Sequence, residues 1–129
     1  MKLSEQVCAL EQAKKLYALG VERRSLFYHF HGRIEHEAFG SEYYSAFTVA
    51  ELGVMLPHPS SLNEMGGWLH NSECDTTSTD GLPWYLLWEY DLDKENAGFG
   101  RHIVSGVTEA EARAAMLIYL LENNLVTPA

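Results

Sequence analysis

The stretch "TEAEARAAMLIYLLENN", Thr108 to Asn124, decides the fold. Thr108 and Glu111 have the spacing of a capping box, in which a hydroxyl and a carboxylate each take up a free backbone N–H at a helix start. No glycine or proline interrupts the sixteen residues that follow Thr108, and from Ala114 to Leu121 every residue is apolar. A helix that is apolar around its whole circumference is buried on more than one side. Leaving such a face in water would forfeit roughly 1.5–3 kcal/mol for each large aliphatic side chain. Either this helix is the central one, packed over a sheet by its own chain, or its second face meets another chain. The latter predicts a symmetric homodimer through the C-terminal helix, two-fold association being the commonest kind.

The sheet comes from the segments before it. "LPWYLLWEYDL", residues 82–92, is dense in aromatic and branched residues, with Pro83 at its beginning, where a strand tolerates proline. Alternation puts Trp84, Leu86, Trp88 and Tyr90 on one face and Tyr85, Leu87 and Glu89 on the other. Apolar residues on both faces read as a central strand. "RHIVSG", residues 101–106, and "WLHNSEC", residues 68–74, read as neighbouring strands, and "DTTSTDG", residues 75–81, as a polar turn region. Towards the N-terminus, "TVAELGVMLP", residues 48–57, is a short helix with a second capping box, Thr48 and Glu51, and a stop at Pro57. A first helix is expected from a cap at Ser4, with Val7, Leu10, Ala13 and Tyr17 at helical spacing and Gly20 as its end. The fold class is α+β: a small antiparallel sheet with helices packed on it, in the order α-β-β-α-β-β-β-α, as one domain over residues 1–129.

Between the first two helices lies "SLFYHFHGRIEHEAF", Ser25 to Phe39, with three histidines and two glutamates in nine residues. Leu26–Phe30 and Ile34–Phe39 read as two strands reversing at His31-Gly32-Arg33. Residues two apart on a strand share a face, so His29 and His31 could chelate one ion, with Glu35 or His36 as a third ligand. A metal-binding or metalloenzyme function on His29, His31, Glu35 and His36 is therefore the alternative to a plain surface hairpin. The pattern His-x-His-x₃-Glu resembles the first metal motif of the cupin barrels. The second glycine-rich motif is missing, however, and capped helices occupy chain that a barrel would need. The hairpin is favoured, with no metal and no cofactor expected. "DLDKENAGFGRH", residues 91–102, sets Asp91, Asp93 and Glu95 at alternate positions, but the glycine and terminal glutamate of a calcium loop are replaced by Asn96 and His102.

The bulk properties narrow the function. Nine basic against eighteen acidic residues give a formal charge of −9 over 129 residues. Such a chain is repelled by phosphate backbones and anionic membrane surfaces, which excludes nucleic acid and membrane as expected partners. Two distant cysteines, Cys8 and Cys74, form no disulfide framework or CxxC motif. With no signal peptide and no apolar run of spanning length, a cytoplasmic location is expected. No GxSxG elbow or phosphate-binding loop is present, and catalytic residues are expected to be none. The best candidate surface is aromatic: Trp84, Trp88 and Tyr90, with Trp68, since tryptophan and tyrosine dominate interface hot spots.

Three segments, "LEQAKKLYALGV" (10–21), "SAFTVAELGVMLP" (45–57) and "TEAEARAAMLIYLLENNLV" (108–126), resemble in this order a group of short proteins encoded by bacterial phages and prophages. The resemblance covers about a third of the chain and carries no catalytic residue. It implies a mobile-element origin in a bacterial cytoplasm. With the acidity and the aromatic surface, it suggests a non-enzymatic accessory protein that binds a host or phage protein, such as a defence or replication component.

Overall fold

A computed structural model describes residues 2–36, 43–57, 67–77, 79–93 and 98–128. Among these residues there are three α-helices and seven short to medium strands, in the order α1 (Leu10–Ala18), β1 (Tyr28–Phe30), β2 (Arg33–Glu35), β3 (Tyr43–Ser45), α2 (Val49–Met55), β4 (Gly67–Leu69), β5 (Glu73–Cys74), β6 (Trp84–Asp93), β7 (Gly98–Gly106) and α3 (Glu109–Glu122). The class is α+β as expected, but the strands form two antiparallel sheets. The smaller runs β2-β1-β3; in the larger, β4, β5 and β7 all pair with β6. From Trp84 to Asp91 every residue of β6 pairs with β7. β4 and β5 must therefore share the opposite edge, one at Trp88–Tyr90 and the other at Trp84–Tyr85.

The C-terminal helix is the centre of the molecule. Ala110, Ala112, Ala114, Met116, Leu117, Ile118, Leu120 and Leu121 are all buried. α3 lies over β6 and β7 on one side and meets α1 and α2 on others. Its apolar circumference is thus covered within the chain, and its burial supplies no reason for a second copy. Thr108 accepts the Glu111 N–H at 3.1 Å, while the Glu111 carboxylate takes the N–H of Val107 rather than that of the cap residue. In α2 the box is reciprocal: Thr48 accepts from Glu111's counterpart Glu51 at 3.2 Å, and Glu51 from the Thr48 N–H at 2.9 Å.

Three local features depart from expectation. Ser4 caps nothing in α1, because Leu3–Glu5 is a single 3₁₀ turn and the helix starts at Leu10. Val7 instead bridges to Thr48, and the Cys8 N–H bonds to the Phe47 carbonyl at 2.9 Å, which holds residues 7 and 8 extended. The later start changes the buried face to Ala13 and Leu16, leaving Tyr17 61% exposed. Second, Tyr43–Ser45 forms a strand, drawn into pairing with β1 at Tyr28–Phe30. Third, "WLHNSEC" is two strands, with His70–Ser72 crossing between them.

Glycines on the packed face of the larger sheet make room for its aromatic rings. A Cβ at Gly67 would come within 2.5 Å of the Trp88 ring, and one at Gly106 within 2.5 Å of the Ala112 backbone nitrogen. Gly100 faces Tyr90 across the ladder and leaves space for the phenol ring.

Candidate binding surface

The sheet has two unlike faces. Leu86 and Trp88 point to α3 and are buried, Trp88 to 1% exposure, and Trp84 and Tyr90 are half-buried against the same core. Of the four aromatic residues expected to form a surface, these three therefore belong to the packed side. Trp68 does not. It is the register partner of Glu89, which in turn faces Arg101, so this row lies on the other face.

That other face carries three rows. Glu73, Tyr85 and Ser105 form the first; Leu87 and Ile103 form the second, continued by His70; Trp68, Glu89 and Arg101 form the third. Among the described elements, none packs over it. Ile103 is 59% exposed, and Leu87, Tyr85 and Trp68 are half-buried. Alternation in 84–90 had already separated Tyr85, Leu87 and Glu89 from the tryptophans. What hid them is that an apolar second face suggests a buried central strand, whereas here the second face stays open.

Polar contacts fix the rows. The Tyr85 hydroxyl donates to Glu73 at 2.6 Å, and that bond to the carboxylate raises the phenol pKa. Arg101 Nε lies 3.8 Å from Glu89 Oε1, and His70 Nε2 lies 3.2 Å from the same oxygen. His70 Nε2 also lies 3.1 Å from the Trp68 indole nitrogen, an obligatory donor. A single ring nitrogen serves one of these roles at a time. With a lone pair on Nε2 it accepts the indole N–H; with a proton on Nε2 it donates to Glu89.

Beside His70 is a recess of about 50 Å³ lined by Gly53, Leu56, Leu69, Ser72, Leu86 and Arg113. A water needs at least about 10–15 Å³ of such space, so the recess has room for a few waters and is too small for a nucleotide. Arg113 is committed there to structure. Nη1 donates to the Val49 carbonyl at 3.1 Å, and Nη2 to Ser72 Oγ at 3.2 Å and Glu109 at 3.3 Å. Ser72 donates to the same Glu109 carboxylate. Ser72 Oγ thus donates to the carboxylate and accepts from the guanidinium, which ties the β4–β5 connection to α3.

The histidine hairpin does not gather its side chains. His31 and Gly32 both have positive φ, 48° and 77°, and form a two-residue turn. That takes His31 off the strand, so the same-face argument for His29 and His31 no longer applies. His29 Nε2 is 2.8 Å from the Cys8 carbonyl, Glu35 pairs with Arg33 on the opposite face, and His36 packs on Phe27 at 4.9 Å. Among the described residues no group of three His, Cys, Asp or Glu side chains is placed to hold an ion. Asp91 and Asp93 lie in strand β6 rather than a loop, and Glu95 falls outside the described residues.

The cysteines are both free, Cys74 exposed and Cys8 buried. Burial pushes the Cys8 thiol up to about 11, and no thiolate forms there near neutrality. Among the described residues, no helix is long and apolar enough to cross a membrane. No family model matches the chain, and no curated protein or solved structure matches it at a significant level.

Proposed function

We propose that this chain is a small, acidic, non-enzymatic binding protein that seats another protein on the open face of its larger sheet. The observation that carries this reading is the Trp68, Leu87 and Ile103 surface, held on a regular ladder and left uncovered by every described element. Covering exposed apolar area contributes roughly 25 cal/mol per Å². Glu73, Glu89 and Arg101 around it supply direction, since charged groups at the rim set orientation and encounter rate more than affinity. With a chain charge of −9, the fitting partner presents an apolar patch ringed by cations. The resemblance to phage and prophage proteins supports a host or phage protein in a bacterial cytoplasm, with inhibition of a defence or replication component as the biological act.

The test compares capture by immobilised wild type, Leu87→Asp, Trp68→Ala and Val54→Asp. Val54 is 69% exposed and sits on α2, outside the three rows. A protein retained by wild type and Val54→Asp, and reduced about tenfold or more by both sheet-face variants, is the expected result. Equal retention by all four chains, or none by wild type, would rule the surface out.

A further inference from the structure

We propose that β7 is a self-pairing edge, at which two copies of this chain join antiparallel about a two-fold axis at Ile103 to make one continuous sheet. The inference stands apart from the partner surface and starts from hydrogen-bond direction. In a strand the N–H and C=O of one residue point to the same side, and the side alternates along the chain. The His70 N–H donates to the Leu87 carbonyl at 3.0 Å, so Leu87 directs its backbone groups to the β4 side of β6. Its partner across β7 is Ile103, which therefore sits in a non-hydrogen-bonded pair and turns its own N–H and C=O away from β6. By alternation Arg101 and Ser105 do the same.

Those groups form an edge that is long and barely protected. β7 has nine residues, pairs with β6 alone among the described strands, and contains no proline and one formal charge, Arg101. Natural edge strands are blunted by short length, proline, lysine or a covering element, and an edge without these is a template for another strand. Among the described residues, no backbone partner takes the outward groups of Arg101, Ile103 or Ser105.

A second copy fits this edge better than a generic strand because the edge is complementary to itself. With the axis at Ile103, Ile103 faces Ile103 of the other copy, Arg101 faces Ser105, His102 faces Val104, and Gly100 faces Gly106. No like charges oppose. The three outward-facing pairs each exchange two N–H···O=C bonds. The exposed Leu87–Ile103 row of each copy becomes one apolar stripe across the axis. An axis at Arg101 would oppose two guanidinium groups, and one at His102 would crowd two imidazoles already stacked on their own Tyr119.

Sedimentation equilibrium and amide hydrogen exchange test the pairing on the full chain. At micromolar concentration and moderate salt, wild type is expected at twice the chain mass of 14.6 kDa, with the Arg101, Ile103 and Ser105 amides slowing as concentration rises. Added salt should tighten the dimer, because each copy carries −9 and screening relieves their mutual repulsion. Ile103→Pro deletes an N–H that faces away from β6, a position where an edge strand tolerates proline. It should weaken association about 100-fold while the far-ultraviolet spectrum stays that of wild type. Ser105→Glu, set opposite Arg101 of the other copy, should tighten the dimer, and Ser105→Arg should loosen it. A wild type that is monomeric throughout, as when a strand of another protein takes the edge, overturns the proposal. A dimer indifferent to both Ile103→Pro and the sign of charge at 105 overturns it equally.

Discussion

His102 and Tyr119 stack face to face, 3.5 Å between centroids and 6° from parallel, where β7 meets α3. Burial holds the imidazole below the ordinary histidine value of 6.5, because the cation would lose water that the tyrosine face does not replace. The unfolded chain therefore takes up this proton more readily than the folded one. The resulting stability is complete above about pH 6.5 and is lost as pH falls through the lower folded value. Thermal melts should show wild type losing more stability between pH 7.5 and pH 5 than His102→Phe, which keeps a ring on Tyr119 without the proton. Equal losses would mean that burial at this position does not discriminate between the two protonation states. Nothing in the sequence signals the pair, since its members are seventeen positions apart on different elements; the register of β7 and the turn into α3 bring them together. The glycines are similar. What requires Gly67 and Gly106 is a ring and a helix backbone 2.5 Å from where a Cβ would stand, and neither contact is local in the chain.

α2 and the β1–β2 hairpin were legible as elements because their signals are local. Thr48 to Glu51 is a three-residue spacing closed by two hydrogen bonds, and His31-Gly32 is a turn closed by two residues of positive φ. The same Glu51 also does something the motif does not announce. It accepts from Ser25 Oγ at 2.7 Å and from the Leu26 N–H at 3.2 Å, tying the approach to β1 onto the start of α2. Thr48→Ala should cost about 1 kcal/mol, as a lost cap does. Glu51→Ala should cost about 1–2 kcal/mol, since it also removes the acceptor that the Ser25 hydroxyl and the Leu26 N–H share. Urea titration of both variants reads the difference, and equal losses would make the contact to residues 25 and 26 inert. β3 escaped notice because Tyr43–Ser45 is too short to show alternation, and its existence depends on the β1 edge being free to receive it.

Across the molecule, Arg113 joins parts distant in the chain: α2 through the Val49 carbonyl, the β4–β5 connection through Ser72, and α3 itself through Glu109. Gly53 has no side chain because the guanidinium lies where one would be. Arg113→Met should destabilise by about 1–3 kcal/mol, and Glu109→Gln should recover part of that loss in the double variant, because an unpaired half-buried carboxylate is what the single change leaves behind. Additive losses in the thermodynamic cycle would show that the two side chains act separately.

Residue order was enough to establish three helices, their caps at Thr48 and Thr108, the strand character of 84–90 and the burial of α3, because periodicity and capping act within one or two turns of chain. What covers each apolar surface is set by elements far apart in sequence. α3 is wrapped by its own sheet and helices, the tryptophans of β6 turn to it, and Leu87 and Ile103 remain on the open side. An apolar side chain favours leaving water wherever a neighbour is available. Which neighbour it finds is a property of the assembled fold.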